Sequence, residues 1–214
     1  MADLRLNASL YLGATSMGAY YMARDDHPEP ARRLLLEVLC RESSPSAELG
    51  SMAAWCGLSE DDTLRLLQRM QSLEWVIGLE QPYIAEHGTM EGRMPQLLAE
   101  LSEDGNVLLA DAQGLYLGTH GFAHEVAESI SAVSADLGSL YDRHKRVLRN
   151  SLGLQEQAWG LVESSGNSQL GFWPLYIGRL RLTLAIEGRP RFNQKAYLEL
   201  VGLLARRYAV DNSW

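Results

Sequence analysis

The chain has 214 residues, 46% of them hydrophobic, enough for one large or two small domains with a buried core. Its formal charge of -8 disfavours general attraction to nucleic-acid phosphate or to an anionic membrane surface, and leaves open only a local basic patch. Cys40 and Cys56, with no Cys/His cluster beside them, give neither a disulfide framework nor a metal signature. They sit in apolar helical patterns and read as buried structural thiols.

The stretch from Leu4 to Met22 is fairly apolar but is diluted by Arg5, Asn7 and small residues. It lacks the basic start and clean apolar run of a secretory signal and is too mixed for a membrane span. Residues 1–28 therefore read as an N-terminal docking segment or short helix of a cytoplasmic protein. Pro28 and Pro30 punctuate a polar break, and Pro30 can open a helix. Leu34, Leu35, Val38 and Leu39 recur at helical spacing from Ala31 to Glu42. A second helix is predicted over Ala47–Trp55, ended by Gly57, and a third after Ser59, which can cap it with Asp62 as the reciprocal residue. Trp75 to Glu80 alternates as a strand, closed by Pro82. Trp55 and Trp75 read as core.

A linker is predicted at His87–Gly92, then a short helix from Met94 to Leu101. Asn106–Asp111 and Leu115–Thr119 form a hairpin that turns through Gly114. A long helix runs from about Ala123 to Leu148, with an apolar face of Val126, Ile130, Val133, Leu137 and Leu140. Strands follow at Gln157–Glu163, Gln169–Tyr176 and Arg179–Ile186, and a last helix at Gln194–Tyr208 with Leu198, Val201 and Leu204 inward. This order predicts an α+β fold: one five-stranded antiparallel sheet with packed helices.

Two resemblances follow from these residues. The stretch Leu49–Trp55, Gly57-Leu58-Ser59 and Leu64–Val76 resembles a winged helix, which makes 29–87 a small winged-helix-like helical domain. Residues 94–210 resemble the roadblock/dynein-light-chain superfamily in element order. They share the hairpin Val107-Leu108-Leu109-Ala110-Asp111-Ala112-Gln113-Gly114-Leu115, in which an apolar strand ends at an Asp and turns through a Gly. The roadblock resemblance implies a non-catalytic dimeric scaffold, its long helices packed together and an edge strand paired. It puts the self-association surface at Val126, Ser129, Ile130, Val133 and Leu137, with the paired edge at Trp159, Leu161 and Glu163. It further implies a small Ras-like GTPase as partner, with no cofactor, no metal and no catalytic group of the chain's own.

The chemistry-bearing residues are sparse. No phosphate loop, dinucleotide fingerprint, H-E-x-x-H or C-x-x-C is present. His120 and His124 lack a third ligand in register and read as surface or capping residues. Arg143, His144, Lys145, Arg146 and Arg149 exceed what capping a helix end requires, and mark a contact for an acidic partner surface. For the alternative of a DNA-binding transcription regulator, the third helix would offer Arg65, Gln68 and Arg69. Its start is Glu60-Asp61-Asp62, and residues 29–86 hold ten acidic against five basic side chains, so nucleic acid is disfavoured.

Overall fold

The computed structural model describes residues 5–103, 105–212 and 214, which fall into two units. The first holds the described residues up to Gly88 with Tyr176–Leu180 and Phe192–Trp214. The second holds Thr89–Leu175 with Arg181–Arg191.

The first unit runs β1 (Tyr11–Ala14), α1 (Ser16–Ala23), α2 (Pro30–Leu39), α3 (Leu49–Cys56), α4 (Glu60–Ser72) and β2 (Val76–Leu79). The predicted caps are present. Gly57 ends α3 at φ 67, the left-handed region that glycine enters without steric cost. Ser59 Oγ accepts the Asp62 N–H at 3.2 Å, and Glu60, Asp61 and Asp62 occupy the positive end of the α4 dipole. The N-terminal segment differs from expectation, because it supplies a strand as well as a helix. β1 pairs antiparallel with β2, Tyr11 opposite Leu79. β2 thus takes its partner from upstream, and after it only an isolated bridge, Ser43 to Ile84, continues pairing. Gly18 of α1 is where the chain needs no side chain: a Cβ there would stand 2.1 Å from the Trp75 carbonyl oxygen. Trp55 and Trp75 are half-buried rather than core; Arg41 lies over Trp55 at 4.7 Å and Tyr21 stacks on Trp75 at 3.7 Å.

The last helix, α7 (Lys195–Asn212), belongs to this unit and not to the 94–210 domain in which the sequence placed it. It packs against α1 and α2. The reason lies in its surface. Leu200, Val201, Leu203, Leu204 and Ala205 are all buried, which is wider than one sheet-facing stripe, so α7 needs apolar neighbours on several sides. Met22, Ala19, Leu35 and Leu39 supply apolar surface on α1 and α2.

The second unit contains α5 (Met90–Ala99), β3 (Val107–Asp111), β4 (Tyr116–His120), α6 (His124–Arg146) with a π-helical turn (Val147–Ser151), β5 (Trp159–Val162), β6 (Ser168–Ile177) and β7 (Leu180–Glu187), the inner ends of β6 and β7 lying in the first unit. Thr89 caps α5 by accepting the Gly92 N–H, so that residues 90–92, expected in a linker, are helical. The five strands form one sheet in the order β4-β3-β7-β6-β5, antiparallel as predicted. The hairpin turn is built by Asp111, whose Oδ1 accepts the N–H groups of Gln113 and Leu115 at 2.9 Å each, with Gly114 at φ 86. Pro174 sits in β6 beyond the stretch paired with β5.

The two faces of this sheet are covered differently. Leu108, Ala110, Ala185 and Phe172 pack with Ala127 of α6. On the other face α5 covers β4, so closely that a Cβ on Gly118 would come within 2.3 Å of Met94 Cγ.

Candidate interaction site

Helix α6 presents two stripes with the same four-three-four-three spacing. Ala127, Ser131, Ser134, Gly138 and Tyr141 are buried. Val126, Ile130, Val133, Leu137 and Leu140 lie one residue earlier, about 100° round the helix. The sequence took this second, more apolar stripe as the helix face. The structure instead buries the first. Val126 and Val133 are each 46% exposed, and Ile130 and Leu137 are half-buried at the margin of the core. The small inward residues let the helix lie close to the sheet. A Cβ on Gly114 would stand 3.3 Å from Ala132 Cα. The inward serines are satisfied on their own helix, Ser131 Oγ donating to Ala127 O at 2.8 Å and Ser134 Oγ to Ser131 O at 2.7 Å. Ser129, also assigned to the association surface, is exposed and donates to Glu125 O at 2.8 Å.

β5 is an edge of the sheet. Trp159 is half-buried, while Leu161 and Val162 are 63% and 66% exposed. Pairing with β6 is regular from Trp159 to Leu161, and a register shift follows at Val162. Bulges blunt an edge against pairing, and here the blunted part is only the outer end. Glu163 has a local task. It accepts from Ser165 Oγ and from Asn167 Nδ2 at 3.1 Å in the β5–β6 turn, and these hydrogen bonds hold its carboxyl below the usual range.

Arg143, His144, Lys145 and Arg146 form the exposed last turn of α6. Lys145 lies 3.7 Å from Asp142, and Arg149 Nε donates to Tyr141 Oη at 2.6 Å. Arg65, Gln68 and Arg69 share the exposed side of α4, Arg65 3.4 Å from Asp62. His124 Nδ1 is 2.7 Å from Tyr116 Oη, a local network consistent with a surface histidine. Cys56 is buried as expected, and burial pushes its thiol up to about 11; Cys40 is only half-buried, and burial with the nearby Glu37 charge raises its thiol as well.

Two features were not legible in the sequence. Asp25, Asp26 and His27 bring three candidate ligand atoms within 4.8 Å. A cation is already at hand, since the buried Arg32 guanidinium lies 3.6 Å from Asp25 and 4.8 Å over the Tyr21 ring. Burial acts to raise the Asp25 carboxyl; the His27 backbone N–H and the Arg32 charge outweigh it and hold the group below its ordinary value. The Tyr21 phenol is pushed up to about 12, by burial first and then by its hydrogen bond to Glu29. The second feature is a cavity of about 200 Å³ walled by Leu6, Leu10, Tyr11, Leu67, Val76 and Ile77, with Arg5, Asn7 and Gln71 as its polar members. Among the described residues no helix is long and apolar enough to cross a membrane.

No protein-family model matches the chain, and no curated protein does. Among solved structures it is similar to a Roadblock/LC7 domain from Streptomyces avermitilis. The match covers 53% of this chain and 91% of that one, at 15% identity and a TM-score of 0.33. The α+β assignment rests on the strand order and helix packing described above.

Proposed function

We propose that this chain is a non-catalytic, cytoplasmic scaffold that self-associates through α6 and the β5 edge and binds a protein partner. The observation that carries the reading is the displaced apolar stripe of α6. Val126 and Val133 are each 46% exposed, with Ile130 and Leu137 beside them, on a helix whose first four sheet-facing positions hold small residues. A second copy applied about a two-fold axis would cover this stripe with the same stripe, and would extend the sheet across the regular part of β5. A small Ras-like GTPase is the first partner to try, as the roadblock resemblance of the sheet and its helices implies. Without chemistry of its own the dimer would act on the partner by positioning the partner's groups.

Light scattering on the wild type and on Val133→Asp tests the assembly. Val133 is the better position than Ile130, which also packs against the core. A wild-type dimer that becomes a monomer in Val133→Asp is the expected result. A wild-type monomer, or a dimer indifferent to the substitution, removes the reading.

A winged-helix reading of α2 to β2 remains a second proposal, favoured by the shared exposure of Arg65, Gln68 and Arg69. It would make the chain a DNA-binding regulator dimerised by its second unit. The carboxylates at the start of α4 oppose it.

A further inference from the structure

The carboxyl end of α6 combines charge and exposed apolar surface in one short segment. Arg143, Lys145, Arg146 and Arg149 fall within seven residues, and no carboxylate occurs between Arg143 and Gln155, in a chain whose formal charge is -8. The nearest acid, Asp142, lies between two cations, Lys145 at 3.7 Å and Arg181 at 3.3 Å. Three exposed aliphatic side chains accompany the cations: Val147 at 48% lies among them, and Leu152 at 61% and Leu154 at 53% follow directly after.

Helix ending accounts for the backbone here and leaves the side chains unexplained. Leu152 N–H donates to Val147 O at 3.0 Å, Leu154 N–H donates to Leu148 O at 2.9 Å, and Gly153 between them takes φ 69. A reversal of this kind usually folds an apolar side chain back onto the helix. In this one Leu152 and Leu154 stay mostly in solvent. The dipole effect that favours cations at a helix end covers Arg143, Lys145 and Arg146, and Arg149, past the last turn, is held on Tyr141, so the exposed aliphatic side chains are what helix ending leaves unexplained.

We propose that residues 143–154 are a peripheral docking surface for an anionic lipid bilayer. Such a bilayer offers negative charge at the headgroups directly above an apolar layer. It therefore meets the cations and the aliphatic side chains together, without needing a matched pocket. An acidic protein surface answers the cations but leaves Leu152 and Leu154 in water unless it also supplies an apolar pocket at that spot. The proposal does not rest on self-association.

The test is flotation of the full chain with vesicles of phosphatidylcholine alone and of phosphatidylcholine mixed with phosphatidylserine. The wild type should float with the mixed vesicles only, and less so as salt is raised. Arg143→Gln/Lys145→Gln/Arg146→Gln should lower partitioning on the order of a hundredfold. Leu152→Ser/Leu154→Ser should lower it about tenfold or more. Near-ultraviolet circular dichroism checks that the variants keep the wild-type fold; if the leucine pair does not, Leu154→Ser alone takes its place. Absence of wild-type flotation with the mixed vesicles overturns the proposal. So does binding that needs the cations but is unchanged in the leucine variant, which would be attraction to the charged headgroups alone, with no apolar contact to the bilayer.

Discussion

The Arg181 guanidinium occupies the space that a side chain at Gly138 would fill. A Cβ on Gly138 would stand 1.0 Å from Arg181 Nη2, and Arg181 Nη1 reaches Asp142 Oδ2 at 3.3 Å. A strand residue of β7 is thereby threaded against α6 at its one glycine in the buried stripe.

Opposing magnitudes decide what Gly138→Ala does. Alanine gains about 1 kcal/mol of helix propensity over glycine in a helix interior. Displacing a mostly buried Arg that is paired to a carboxylate costs about as much or more. Gly138→Ala alone is expected to be neutral to destabilising in thermal unfolding. In an Arg181→Ala background the same change should stabilise by about 1 kcal/mol. Equal effects in the two backgrounds would mean that the two residues are not coupled.

Gly118 sets the spacing of α5 on the opposite face. Valine there would drive its branched side chain into Met94, which is 1% exposed. Gly118→Val should cost about 1–3 kcal/mol in denaturant unfolding, as overpacking does. Met94→Ala should restore part of that loss when combined with it. Failure of the second substitution to rescue would place the strain elsewhere.

Asp25 is expected to contribute to the acid limb of stability. Its folded carboxyl lies below the ordinary value of 3.8. The stabilisation it gives is therefore fully present above that range and is lost as the pH falls through it. Asp25→Asn removes the charge facing Arg32, which is 2% exposed, and should cost about 1–3 kcal/mol at neutral pH. The gap between wild type and variant should close as pH is lowered toward and below 3.8. A gap that stays constant from neutral to acid pH would show that the carboxyl has no special role.

The α4 surface separates the scaffold from the transcription-regulator reading. Fluorescence anisotropy with duplex DNA at low and moderate salt should show no appreciable binding. Binding that falls steeply with salt and weakens in Arg65→Ala/Arg69→Ala would instead favour the regulator.

Much of this was legible from local rules. The strand at Val107–Asp111 ends at Asp111 because an Asp side chain can bond the turn backbone, and Gly114 follows because the turn needs a positive φ. Ser59 and Gly57 mark helix boundaries for equally local reasons. The candidate surface was legible in its residues, and its expected role in self-association came from the roadblock resemblance rather than from periodicity. Val126, Ile130, Val133 and Leu137 stood out as the most apolar stripe of α6, and apolar periodicity alone assigns such a stripe to the core. The stripe actually buried, Ala127, Ser131, Ser134 and Gly138, has the same spacing and carries a different signal, that of a helix approaching a sheet closely.

By itself, the sequence determined the identity and ends of most elements, and with them an antiparallel five-stranded sheet, because caps, turns and strand alternation depend on residues a few positions apart. Only the tertiary structure decided which stripe of α6 is inward, that β2 pairs with β1 from the N-terminal segment, and that α7 packs with α1 and α2. Each of these depends on a partner far along the chain. Helical and strand periodicity tells which residues share a face, and only packing tells what that face meets.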